Sequence, residues 1–176
     1  MLSQLQTAFE HLEQKKNILF QDLEKLENEQ LGFHLVADSW SVLQVVEHIF
    51  LVEKSTVHTI SKNPIERKMQ KNLRELIGSA IGWLVFRFGL KVKTPSKDFE
   101  PQGNIPLSDL QQQWEETRTT LTGILETITE EKRDFTIFRH PISGPLDANE
   151  TLLLLTQHYD HHLRQIKRIR QSEKFS

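Results

Sequence analysis

The residues best suited to chemistry lie in one short stretch, QHYDHHLRQI, residues 157–166. His158 and His162 are four positions apart. On an α-helix such residues share a face, with Cβ atoms about 5–6 Å apart. Two imidazoles so placed can close on one metal ion at about 2 Å. The spacing is that of the HExxH zinc helices, but the glutamate that acts there as base is replaced by Tyr159. Two imidazoles do not complete a site, and His48 is the candidate third. It stands within the apolar run VVEHIF, where a histidine facing a bundle interior needs a hydrogen-bond partner or a metal.

Taken alone, His48 reads first as a hydrogen-bonded core histidine. The pair 158 and 162 reads equally as ligands or as a solvated helix face. Taken together in a helical protein, the three favour the ligand reading, because metal sites between facing bundle helices recur. His161 lies about 60° around the helix from His158 and reads as a rim or structural residue. Gln165, one turn beyond His162, and Gln44, one turn before His48, could orient a ligand; a polar core contact is the simpler reading of each. His11, His34 and His58 have no partner pattern and read as surface residues. His140, before Pro141, is placed near the mouth of the site.

Composition narrows the chemistry further. With no cysteine, disulfides, thiolate metal sites and a cysteine nucleophile are excluded. Any zinc-like centre must use imidazole, carboxylate and water. The net charge of −2 gives the molecule no overall attraction to nucleic acid. The longest apolar-and-small run, residues 76–86, is too short for the roughly 20 residues that cross a bilayer. The first residues lack the basic start and apolar run of a secretory signal. Cytoplasm is the expected compartment.

The elements that must position these histidines read as helices. Residues 3–30 carry Leu5, Phe9, Leu12, Ile18, Leu19, Leu23 and Leu26 at mostly three- and four-residue steps, one buried stripe. Ser41 with Gln44 forms a capping box before a helix over about 41–62. Residues 65–90 read as helical again, first basic and amphipathic, then apolar on most faces. The charge of residues 62–93 is +6, against −8 for the rest. Residues 94–106 form a loop by their Pro, Gly and Asn content. A third long helix over about 108–129 starts at a Ser108 or Asp109 cap. Residues 138–147 read as a turn, and Asp147 with Glu150 starts a last helix over about 148–171. With no clear strand, the expected solution is a four-helix bundle with an extra helical segment between the second and third long helices.

Three stretches together resemble the DinB-like superfamily: WSVLQVVEHIF at 40–50, HPISGPLDANE at 140–150 and HYDHHLRQI at 158–166. In that family a tryptophan-serine start leads into the helix bearing the first metal ligand. An HP-x-x-G-x-L turn leads into the helix bearing an HxxxH pair. The resemblance implies an all-α, up-down four-helix bundle over residues 1–176 as a single domain, with His48, His158 and His162 as metal ligands. It departs at residues 64–100, longer and more basic than a simple connection, where an insertion could cover or reshape the site.

Three neutral imidazoles leave coordination positions open, as in catalytic rather than structural metal sites. Such an ion can activate water, polarise a carbonyl or hold a thiolate. The resemblance adds that relatives are metal-dependent hydrolases or transferases using low-molecular-weight thiols. The expected function is one of these acting on a small molecule, with zinc foremost and nickel, iron or manganese as alternatives. No residue is assigned as general base. A second reading is a non-catalytic binding module with a structural or vestigial metal, motivated by the basic segment with Trp83, Phe86 and Phe88. Such a segment suits an anionic membrane surface or a homodimer contact, or else it finishes the core.

Overall fold

The computed structural model describes residues 1–37, 39–63, 65–88 and 97–175, with the side chains of 83–88 and 97 left aside. Six α-helices are present among them: α1 (Ser3–Leu23), α2 (Asn28–Leu31), α3 (Val42–Lys62), α4 (Leu73–Phe88), α5 (Leu107–Glu126) and α6 (Ala148–Arg170). A two-stranded antiparallel hairpin, β1 (Phe138–His140) and β2 (Gly144–Leu146), precedes α6.

The four long helices form the bundle. α3 packs on α5 and on α6, and α6 packs on α1. The circuit closes between α1 and α5 through side chains: Phe20 meets Trp114 edge-on at 5.7 Å, and Lys16 reaches Glu115 at 2.6 Å. Leu5, Leu12, Leu19, Leu23, Val42, Val45, Val46, Ile49 and Phe50 are buried as their periodicity requires. They meet Leu110, Trp114, Leu121, Leu125, Leu152, Leu155 and Tyr159 from the facing helices.

Both predicted caps around the histidine helices are present. Ser41 accepts a hydrogen bond from the Gln44 backbone N–H, and the Gln44 side chain accepts one from the Ser41 N–H. Asp147 caps α6 by accepting from the Glu150 N–H at 2.8 Å. Each satisfies an amide that the first helical turn leaves unpaired.

Elsewhere the structure corrects the local reading. The first helix stops at Leu23, and residues 28–31 form a separate turn closed by a Glu27–Gln30 capping box. Ile18, expected in the buried stripe, is 51% exposed. The third long helix begins after Pro106 with no side-chain cap, so neither Ser108 nor Asp109 serves as one. Residues 65–72 are not helical: Lys68 forms a bridge with Phe135, and Thr136 and Met69 donate to Arg67 and Asp134 carbonyls, each at 2.8 Å. Their helix propensity is a weak preference, overridden here by backbone pairing with a distant segment. The segment read as a turn at 138–147 contains the hairpin, in which His140 pairs with Gly144. Gly144 has φ +71, the left-handed conformation that glycine adopts without strain after a three-residue hairpin loop. The part of the loop at 94–96, and the environment of Trp83, Phe86 and Phe88, fall outside the described residues.

α4 is the extra helical segment, and it lies on α6 and the hairpin. Its approach depends on Gly78: a Cβ there would come within 2.3 Å of the Ile142 carbonyl oxygen. Glu75 pairs with Arg139 of β1 at 2.7 Å, and Lys71, just before α4, pairs with Glu150 of α6 at 2.7 Å, both at the N-terminal end of α4. Among the described residues, no helix is long and apolar enough to cross a membrane.

Candidate metal centre

α3 supplies His48 and α6 supplies His158 and His162, one turn apart. One ligand nitrogen from each lies within 4.8 Å of the others. The ring centroids stand 4.5 to 5.2 Å apart. His48 and His162 are buried, at 5% and 8% exposure, and His158 is half-buried. These are the three residues that the spacing and the resemblance singled out, and the fold brings them to one point.

Hydrogen bonds fix the orientation of two of the rings. His48 Nδ1 lies 2.8 Å from the carbonyl oxygen of Phe99. A carbonyl only accepts, so the neutral ring carries its proton on Nδ1 and keeps a lone pair on Nε2. His162 Nδ1 lies 3.0 Å from Gln165 Oε1, with the same consequence. Nε2 of His48 is 3.3 Å from Nε2 of His158. Two nitrogens held at zinc-ligand distance and a tetrahedral angle would be about 3.3 Å apart. The spacing suits either an N–H···N bond from His158 or two lone pairs turned to one cation.

Burial lowers the pKa of all three, since an imidazolium loses its hydration there. For His48 burial is the leading cause, opposed by the bond to Phe99. His158 is pushed well below the usual value by burial, then by the neighbouring histidines. His162 falls to about 3, by burial first and His48 second, with Gln165 opposing. The cluster is therefore neutral at pH 7, the state in which imidazole binds metal.

The surroundings sort the remaining candidates. Gln165 takes the orienting role. Gln44 does not, because its side-chain oxygen is engaged by the Ser41 N–H. His161 packs its ring against His162 at 4.8 Å but does not join the converging three. His140 lies close enough for its charge to bear on His158. Its Nδ1 accepts the Ser143 N–H at 3.1 Å. His11, His34 and His58 are exposed. Tyr159 is no substitute for the missing glutamate. It is fully buried, donates to the Lys15 carbonyl at 3.1 Å, and burial raises its pKa far out of the working range.

Three contributors escaped the sequence reading. Trp40 places its ring 4.7 Å from that of His48 and 6.5 Å from that of His162, packed beside the cluster. Its place just before the capping serine was the available signal. The Phe99 carbonyl has no side-chain signature at all. Glu47, buried at 3% exposure, accepts the Gly103 N–H at 2.6 Å and ties the following loop to α3.

Three imidazoles converge here from two facing helices of a helical bundle, and the comparisons bear on the family and the fold. The DinB superfamily model matches residues 11–166, and the chain belongs to that superfamily. The fold is similar to that of YfiT from Bacillus subtilis, described as a probable metal-dependent hydrolase with an unusual four-helix bundle topology. The two superpose with a TM-score of 0.63 at 18% identity, over 97% of this chain and 88% of that one. No curated protein matches in sequence.

Proposed function

We propose that His48, His158 and His162 hold one divalent cation, zinc foremost, and that the chain is a metal-dependent hydrolase or low-molecular-weight-thiol transferase acting on a small molecule. The observation that carries this reading is the convergence of three neutral imidazole nitrogens within 4.8 Å. Hydrogen bonds to Phe99 and Gln165 hold Nε2 of His48 and of His162 as lone-pair donors. The donor set fits zinc, and accepts nickel, iron or manganese, because imidazole discriminates weakly among them. A cation held by three protein ligands keeps positions for substrate and supplies Lewis acidity there.

The chain's own residues would prepare the site rather than carry out the bond change. Burial keeps the imidazoles unprotonated, Trp40 packs beside them, and Gln165 and Phe99 set ring orientation. The description of YfiT supports hydrolysis; thiol transfer rests on the family resemblance. The test is elemental analysis of protein purified without chelator or affinity metal, wild type beside His162→Ala. The expected result is about one equivalent of metal in the wild type and a loss of most of it in the variant. Hydrolysis and thiol-transfer substrate panels then divide the two activities. Wild-type protein free of metal, and unable to take up zinc, would overturn the reading.

One observation favours a second reading, a binding module. Leu73, Leu76, Ile77 and Ile81 on α4 are 52 to 74% exposed, beside the exposed Arg67, Lys68 and Arg74. An apolar face with basic neighbours suits an anionic membrane surface or contact with a second copy. Removing residues 64–93 and measuring vesicle binding and oligomeric size tests it. If metal is bound, neither panel turns over, and the deletion abolishes one of these associations, the module reading replaces the enzyme.

A further inference from the structure

Glu47 adjoins a proposed ligand, is buried, and has no part in the cluster itself. The charged groups buried elsewhere in the bundle join several helices: Arg118 pairs with Glu53 and Glu13, and Lys16 with Glu13 and Glu115. Glu47 instead holds a loop. Its Oε2 accepts the Gly103 N–H at 2.6 Å, across 56 positions of sequence. Four residues earlier in that loop, the Phe99 carbonyl accepts from His48 Nδ1. Residues 99–103 therefore form a strap anchored to α3 at two adjacent positions, 47 and 48.

Gly103 makes the approach possible. Its φ is +70, and an added Cβ would sit 2.8 Å from Gln44 Cγ. Gln44 cannot easily give way, because its side chain closes the capping box of α3. A neutral histidine lacking an acceptor at Nδ1 exchanges freely between its two tautomers, and the tautomer is set by what the other nitrogen bonds.

We propose that Glu47 is a positioning residue for His48: by fixing Gly103, it holds the Phe99 carbonyl where it keeps the proton on His48 Nδ1 and leaves Nε2 for the ion. Only the last step rests on the three-histidine reading of the site. The tautomer is a property of the metal-free protein. Partners that orient metal-binding histidines from outside the ligand shell are commonly worth about 10- to 100-fold in metal affinity.

The experiment measures two quantities on the full chain: the His48 tautomer, by long-range proton–nitrogen NMR without metal, and zinc affinity, by competition with a chromophoric chelator. In the wild type His48 is the Nδ1–H form. Glu47→Ala and Gly103→Ala are expected to give a mixture of tautomers and about 10-fold or greater weakening of zinc binding. Glu47→Gln retains an acceptor oxygen and should restore most of both. If Glu47→Ala fails to fold, Gly103→Ala, which keeps the Glu47 carboxylate and acts from the strap's side, decides. Unchanged tautomer and affinity within about twofold in the folded variants would overturn the strap's role while leaving the metal site standing. A wild type that takes up no zinc, yet whose tautomer shifts in the variants, would remove the metal site and keep the strap.

Discussion

The buried histidine cluster should make the metal-free protein sensitive to mild acid, and His162 gives the size of the effect. Its pKa in the fold is about 3, chiefly through burial, against about 6.5 in an unfolded chain. Between these values the unfolded state binds a proton that the folded state does not. Stability therefore rises with pH through this window, is fully present above about 6.5, and is lost as pH falls. At about 1.4 kcal/mol per pH unit, lowering pH from 7 to 5 costs about 2 kcal/mol from His162 alone. His48 and His158 are shifted the same way and add to the loss. The assay is urea unfolding in the presence of chelator, at pH 7 and pH 5, for wild type and His162→Gln. The variant has no imidazole at 162 and should lose about 2 kcal/mol less than the wild type over the interval. Equal losses would show that position 162 is either protonated in the fold or open to water, and the neutral-cluster argument would fail with it.

Other perturbations test the frame around the site. Arg118, at 3% exposure, pairs with Glu53 and Glu13; without it Glu13 keeps Lys16, but the buried Glu53 loses its guanidinium partner, and Arg118→Ala should destabilise by about 3–5 kcal/mol in denaturant unfolding. Gly78→Ala drives a methyl into the Ile142 carbonyl, so α4 must shift at a cost of about 1–3 kcal/mol, seen as faster proteolysis near residues 65–88. Tyr159→Phe removes the bond to the Lys15 carbonyl, costing about 1 kcal/mol of stability in urea while zinc affinity stays unchanged; a large loss of zinc binding would contradict its exclusion from the site.

Much of the site was legible because helices convert sequence spacing directly into geometry. His158 and His162 had to share a face once the segment was helical, and the apolar run around His48 required that residue to face inward. The caps at Ser41 and Asp147 followed from local chemistry, since each serves an amide within three residues. Failures came where long-range pairing competed with local preference. Residues 65–72 have a helical pattern yet pair through their backbone with residues 134–136. The hairpin at 138–146 is too short to show a period of two.

By itself the sequence determined the long helical segments, the caps at Ser41 and Asp147 and the shared face of His158 and His162, because these depend on periodicity and residue type within single helices; His48 meets that pair only through the packing of α3 on α6. The tertiary structure alone decided how the site is oriented. The carbonyl of Phe99 meets His48 across 51 positions, and the Gly103 amide meets Glu47 across 56. Backbone groups of this kind are the same in every residue, so no side-chain pattern announces them; only the folded path of the chain brings one particular carbonyl to one particular ring.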